Sequence, residues 1–287
     1  MDGVRDISYV YDGTFEGLLC CVYESFYKKE TPAAICAEGR LGEQLLFSEQ
    51  RYIQTDPERA GRVARSISEK ISGEAADLVT MCYFTCLENK ELAILDFLRR
   101  GYKVGKRFTE MLTDDAMRKV KDAVKRMNNE SGKFKGFVRF SVYGNVKVAV
   151  IRPENFVLPL ISHHFCHRYQ RDEFMIYDET HGCALVHRPP ETAIIPMDSL
   201  VMYKPSAEET MYRELWRKYY DTIAIQARIN PRGRMTQMPK RYWDYMTEFG
   251  SPAVARLEVL ERDGLLEDKG IAALLPPKFA ELDAQEY

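Results

Sequence analysis

The sequence predicts an α+β fold: a mainly helical N-terminal part, a small antiparallel sheet of two hairpins with a crossing helix, and C-terminal helices. Three observations predict it. Apolar residues recur at helical spacing through most of residues 1–132. The period changes to two at Phe137-Val138-Arg139-Phe140-Ser141-Val142-Tyr143. After Pro205-Ser206, helical spacing returns. The expected organisation is one domain over residues 1–249, helical over 1–132, with the sheet over 133–204 and helices over 205–249. An acidic helical tail over 250–287 completes the chain.

Ile7 to Tyr11 is an apolar, β-branched run that reads as a strand. Asp12-Gly13-Thr14 ends it, and Asp12 or Thr14 can cap the helix that follows. A strand–turn–helix of this kind can hold a phosphate at the helix N-terminus. Ordinary strand-to-helix connections use the same residues. Asp56-Pro57-Glu58 starts a second helix, with a capping acid, a proline at the first helical position and an acid at the positive end of the dipole. Ala60, Val63, Ala64 and Ile67 form its apolar face, which runs to about Ile71. Another apolar helix is expected from Glu74 to Arg99. A further one starts at Asp114-Asp115, with Val120, Val124 and Met127 on one face and lysines on the other.

In the sheet region, Gly144-Asn145 is a tight turn, and Val146 to Ile151 returns as partner to 137–143. Leu158 to Arg168 is the crossing helix. Phe174 to Asp178 and Cys183 to Val186 make a second hairpin around His181-Gly182, and Thr192 to Ile195 adds an edge strand between prolines. Glu208 to Arg228 reads as a long amphipathic helix, broken at Asn230-Pro231-Arg232-Gly233. Pro239 opens a short aromatic helix through Phe249, and Ala253 to Arg262 is a last helical piece.

The chain has 45% hydrophobic and 29% charged residues, the balance of a globular protein. It lacks the run of about 18 apolar residues that a membrane helix needs. The N-terminus carries acids and has no apolar signal region. Seven cysteines, scattered at 20, 21, 36, 82, 86, 166 and 183, suggest reduced thiols rather than a disulfide framework. The expected location is therefore the cytoplasm. The net charge of −2 hides a division: residues 117–139 and 213–243 each carry eight bases and two acids, leaving −14 for the rest. Such segregation can build a positive face on an acidic body, although solvated helix faces paired with acids elsewhere give the same composition.

No phosphate-binding loop, dinucleotide fingerprint or nucleophile elbow is present, so no cofactor is expected and there is no recognisable catalytic motif. His163 and His167 stand four apart, the helical spacing of two metal ligands, but the glutamate of the zinc-protease motif is missing. A half-buried helix supporting the hairpins is the ordinary explanation of the pair, and no metal site is expected. Cys82-Tyr83-Phe84-Thr85-Cys86 begins like a radical-SAM cysteine motif and fails at Asn89, where the third cysteine should fall. Asp12, His164 and Asp178 are the candidate acid–base set if the chain is an enzyme. The richest segment is Leu215 to Tyr245, where both tryptophans fall and aromatic rings alternate with cations. Cations bind phosphates and rings stack on bases; rings packed inside with cations outside is the bland reading.

Seven motifs follow one another in order: Tyr11-Asp12-Gly13-Thr14-Phe15-Glu16-Gly17-Leu18-Leu19, Phe137-Val138-Arg139-Phe140, His164-Phe165-x-x-Arg168, Ile176-Tyr177-Asp178, Leu215-Trp216-x-x-Tyr219, Arg228-x-Asn230-Pro231 and Met238-Pro239-x-Arg241-Tyr242-Trp243. In these, over about residues 8–249, the chain resembles a bacterial family of DNA metabolism proteins. That family is similar to a companion of a radical-SAM protein of DNA repair or modification, and a similar domain is found fused to uracil-DNA-glycosylase-like domains. The resemblance implies a DNA context and a radical-SAM partner, and it implies no residue roles. The expected function is a DNA-binding or scaffolding component of a repair or base-modification system, on single-stranded or damaged DNA. Its expected contacts are Arg139, Arg168, Arg228, Asn230, Arg232, Lys240, Arg241 and Trp243, with arginines on phosphate and Asn230 on a base edge. An enzyme acting on a nucleotide or nucleobase, and a protein-interaction module without DNA affinity, are the alternatives.

Overall fold

The computed structural model describes residues 7–39 and 49–259. The chain divides into two compact units, Met1–Met127 and Asn128–Tyr287.

In the first unit, strand β1 (Ile7–Tyr11) is buried along its whole length, as a strand covered on both faces must be. It is the centre of a three-stranded parallel sheet, between β2 (Ala34–Ala37) and β3 (Glu49–Tyr52). Parallel neighbours need a crossover, and helix α1 (Phe15–Tyr27) supplies the first. The Thr14 hydroxyl caps α1, accepting from Gly17 N at 3.0 Å. Asp12 accepts from Thr14 N at 3.0 Å, from the Thr14 hydroxyl at 2.7 Å and from the Thr55 hydroxyl at 2.7 Å. Burial raises the Asp12 pKa, but the hydrogen bonds from Thr14 and Thr55 outweigh it and the net shift is downward.

Helix α2 (Pro57–Lys70) starts as expected, with the Asp56 carboxylate accepting from Glu58 N and Arg59 N. The single helix expected over 74–99 is two, α3 (Gly73–Tyr83) and α4 (Lys90–Val104). The break is local: the Thr85 hydroxyl bonds back to Cys82 O at 2.6 Å, and Asn89 takes a left-handed conformation at φ 52°, which asparagine tolerates better than most residues. Helix α5 (Asp115–Phe137) is capped by Asp114. Its Met117, Val120 and Val124 join Ile7, Tyr9, Leu18, Ile67, Phe97 and Phe108 in one core.

The second unit is built on a five-stranded sheet: β4 (Ser141–Tyr143), β5 (Val146–Ile151), β6 (Glu173–Asp178), β7 (Cys183–Arg188) and β8 (Glu191–Pro196), side by side in that order. Both expected hairpins and the edge strand are present, but the strand expected from Phe137 is shorter: α5 runs through Phe137 and β4 begins at Ser141. The join between the hairpins differs from a wholly antiparallel sheet, because β5 and β6 run parallel. Helix α6 (Leu158–Arg168) is the reason: it carries the chain back along the sheet before β6 begins. Val148, Val150, Met175, Tyr177, Ala184 and Val186 form the core under one face.

A short strand β9 (Met202–Tyr203) leads into α7 (Ala207–Ile223) and α8 (Pro231–Gln237). The expected short aromatic helix is two 3-10 segments, Lys240–Tyr245 and Thr247–Phe249. Helix α9 (Pro252–Leu257) opens the region expected as an acidic helical tail, and β10 (Glu258–Val259) pairs in parallel with β9. Residues 260–287 of that tail lie outside the described residues. Among the described residues no helix is long and apolar enough to cross a membrane.

Candidate functional site

The first turns of helix α7 are held by a chain of hydrogen bonds, and farther along Trp216 and Tyr220 touch Glu248 and Phe249. The Ser206 hydroxyl caps the helix, accepting from Glu209 N at 3.1 Å. Glu209 is 8% exposed and accepts from Val142 N at 3.1 Å and from Arg213 Nε at 2.9 Å. Arg213 in turn donates to the Tyr143 hydroxyl at 3.0 Å. This chain fastens the first turns of α7 to strand β4. Beyond it, only Tyr220 is half-buried, packing edge-on to Phe249.

The amphipathicity of α7 is inverted with respect to its unit. Met211, Tyr212, Leu215, Trp216, Tyr219 and Ile223 are exposed. At 3.6 residues per turn they fall within an arc of about 140°. Glu209, Arg213 and Tyr220, the positions turned inward, lie outside that arc. Ile225, Ile229 and Met235 extend the exposed apolar surface past the end of the helix.

Asn230 turns the chain into α8 by accepting from Gly233 N at 2.9 Å, with Pro231 at the first helical position. Between α7 and α8 lies an open cleft of about 500 Å³, with Tyr220, Ile223, Ile225, Arg228, Ile229 and Arg234 among its walls. Its floor is aliphatic and its charged groups are positive. From Thr222 to Arg241 there are five cations and no acid.

The aromatic residues meet in two places. Trp243 stacks on Phe249 with ring centroids 4.3 Å apart, and its indole N–H donates to Met238 O at 3.0 Å. The Arg234 guanidinium lies 5.0 Å from the Trp243 ring and the Lys240 ammonium 6.0 Å from it. Trp216 is 41% exposed and donates from its indole N–H to Glu248 at 3.1 Å. Arg139 sits 5.9 Å from the Trp216 ring and clasps the same Glu248 with two bonds, at 2.8 and 3.1 Å. Burial pushes the Glu248 pKa up, yet the Arg139 and Trp216 bonds carry it below the usual glutamate range.

The eight residues expected to contact DNA therefore separate by what already holds them. Arg139 is bound to Glu248. Arg241 is bound to Glu154, lies 3.4 Å from Glu130 and donates to the Tyr242 hydroxyl at 2.9 Å. Both arginines hold 3-10 segments in place. Asn230 spends its oxygen on the α8 cap. Arg168, Arg228, Arg232 and Lys240 are exposed, and none has an ion-pair partner among the described residues. Arg228 and Asn230 line the cleft between α7 and α8, and Lys240 lies beside the half-buried Trp243. Sequence reasoning left Arg234 out of the contact set. Its signal was its place one turn after Asn230-Pro231, which puts it on the α8 face nearest the aromatic segment.

The candidate acid–base residues are held as follows. Asp178 is fully buried at the end of β6. Its carboxylate accepts from Thr180 N at 3.0 Å and His181 N at 3.2 Å and lies 2.7 Å from His181 Nδ1, which closes the β6–β7 turn. His164 lies on α6, and burial, then Lys135 and Arg168, push its pKa down, which disfavours its charged form. Asp12 is in the first unit, in the cap of α1. His163 and His167 are exposed on α6 with rings 6.3 Å apart. Among the described residues no group of three His, Cys, Asp or Glu side chains is placed to hold a metal ion.

Residues 88–248 match the model of a family described as a domain of unknown function, DUF4130. Comparison with curated proteins and with solved structures finds no match to this chain. The matched segment takes in α4, α5, the whole five-stranded sheet and the α7–α8 cleft, more than half of the chain; the protein belongs to the DUF4130 family.

Proposed function

We propose that this chain is the DNA-binding component of a repair or base-modification system and works with a radical-SAM partner. The observation that carries the reading is the stretch from Thr222 to Arg241, where Arg228, Arg232, Arg234 and Lys240 are exposed, the last two over the Trp243 ring, with no acid in the run. Exposed cations without acidic partners are free to neutralise phosphates, and a half-exposed indole offers a stacking face for a base. The resemblance to DNA metabolism proteins supplies the DNA context and the partner.

The contact set in this proposal is Arg168, Arg228, Arg232, Lys240 and Trp243, with Arg139 and Arg241 as the struts behind it. Asn230 keeps its two amide hydrogens for a base edge or a phosphate.

The test is fluorescence anisotropy with a labelled single-stranded oligonucleotide at two salt concentrations. Binding should weaken as salt rises, and the double variant Arg228→Glu, Arg232→Glu should lower the salt slope by about 0.7 for each phosphate no longer neutralised. Absence of binding at low salt, both alone and with the radical-SAM partner, would overturn the proposal. One observation favours a second reading, that of a protein-interaction module. Leu215, Ile223, Ile225, Ile229 and Met235 are exposed beside the same cations, and aliphatic side chains neither stack on bases nor bond to them.

A further inference from the structure

Nine large apolar side chains from Met211 to Met235 are more than a third exposed. A patch of this kind marks an interaction surface. Its aliphatic content points to polypeptide, and its charge limits which polypeptide. Arg228 and Arg234 line the cleft, and Arg232 stands between them on α8. Two copies of this face would bring those cations against each other, so a second copy is disfavoured. The fitting occupant is an acidic segment rich in leucine and isoleucine.

The same chain carries one. Residues 260–287 contain seven acids against three bases, together with Leu260, Leu265, Leu266, Ile271, Leu274, Leu275, Phe279 and Leu282. The topology delivers this segment to the right end of the face. Strand β10 pairs in parallel with β9, with Val259 opposite Tyr203. Strand β9 enters α7 four residues later, at Ala207. Strand β10 thus ends at Val259 beside the strand that leads into α7, running the way β9 runs. The 17 residues of α7 span about 26 Å, a distance within the reach of 28 residues, which extended cover up to about 3.3–3.6 Å each.

We infer that residues 260–287 are the occupant of the apolar face of α7 and of the α7–α8 cleft. The match is one of chemistry: this segment carries leucines, Phe279 and seven acids, and the face offers Leu215, Tyr219, Ile223 and Ile229 beside Arg228, Arg232 and Arg234. The inference goes beyond the DNA reading. It concerns the same cations, but it is tested without nucleic acid, so either can fail alone.

Two measurements on the full-length chain test it. In a Trp243→Phe background, Trp216 is the single tryptophan and reports on α7. Acrylamide should quench it less than a ring 41% exposed allows. The triple substitution Leu274→Asp, Leu275→Asp, Phe279→Asp should restore quenching to that level. Independently, carbodiimide treatment of the unaltered chain at low concentration should join Lys218 or Lys240 to acids within residues 260–287, and the triple substitution should abolish those links. Three results would overturn the inference: quenching of Trp216 alike in both chains, shielding that appears only as concentration rises (a second copy), and cross-linked peptides that lack residues 260–287.

Discussion

Glu130 is the residue whose loss should cost the second unit most. It is 3% exposed, on the inner side of α5. One carboxylate oxygen accepts from Glu154 N at 3.0 Å, and the other accepts from Asn155 N at 2.9 Å and Asn155 Nδ2 at 2.6 Å. Arg241 stands 3.4 Å away. Glu130→Ala removes three bonds to a charged acceptor, each contributing about 1.5–3 kcal/mol. The sum overstates the effect, because Arg241 keeps Glu154 and water can enter the space left by the side chain. A buried donor left without its acceptor costs about 1–3 kcal/mol, and with the Asn155 groups buried the expected loss is about 2–4 kcal/mol. Glu130→Gln keeps both side-chain heavy-atom positions but turns one acceptor into a donor facing a donor, so it should recover less than half. Both tryptophans, Trp216 and Trp243, belong to this unit. Urea unfolding followed by tryptophan fluorescence therefore reads the unit directly. A loss under about 1 kcal/mol for Glu130→Ala, the size of an ordinary surface substitution, would refute the claim that this carboxylate pins the 154–155 turn to α5.

Two further outcomes follow from the geometry. The Glu248 pKa is depressed, so its ion pair with Arg139 stabilises the unit fully above the ordinary glutamate value of about 4.3 and is lost as pH falls through the lower folded value. Unfolding free energy measured against pH should decline across that acid window, and Glu248→Gln should flatten the decline; identical pH profiles would count against the pairing. In the first unit, a methyl group on Gly17 would run into the Asp12 carboxylate and lie 2.9 Å from both Thr55 Oγ1 and Tyr11 Cδ2. Gly17→Ala should cost about 1–3 kcal/mol as a small-to-large change in a packed site, and an unchanged thermal midpoint would show that the Asp12–Thr55 contact is dispensable.

Local signals were readable and long-range pairings were not. Asp56-Pro57 announced α2 because capping chemistry is confined to neighbouring residues, and the alternation around Gly144-Asn145 announced the first hairpin for the same reason. The parallel sheet of the first unit escaped beyond β1, because β2 and β3 are four residues each and β3, Glu49-Gln50-Arg51-Tyr52, has no apolar period. The break between α3 and α4 left only a single asparagine as a clue. In the candidate site, the concentration of rings and cations between Leu215 and Tyr245 was visible in the sequence. The engagement of Arg139 and Arg241 was not, since their acids Glu248 and Glu154 stand 109 and 87 positions away. Nor could periodicity alone say which side of α7 turns outward: its apolar stripe suggests a buried face, and the Glu209–Arg213–Tyr143 fastening places that stripe in solvent.

The family boundary at residue 88 falls inside the first unit, not at its edge. Ile94, Leu95, Phe97, Leu98, Phe108 and Met117 lie within the matched stretch, yet they share one interior with Ile7, Tyr9, Leu18 and Ile67, which lie before it. Inheritance and folding are thus cut along different lines. A protein expressed from residue 88 onward would carry half of an apolar interior with its other half missing, and insolubility of such a fragment would say nothing about what the intact chain does.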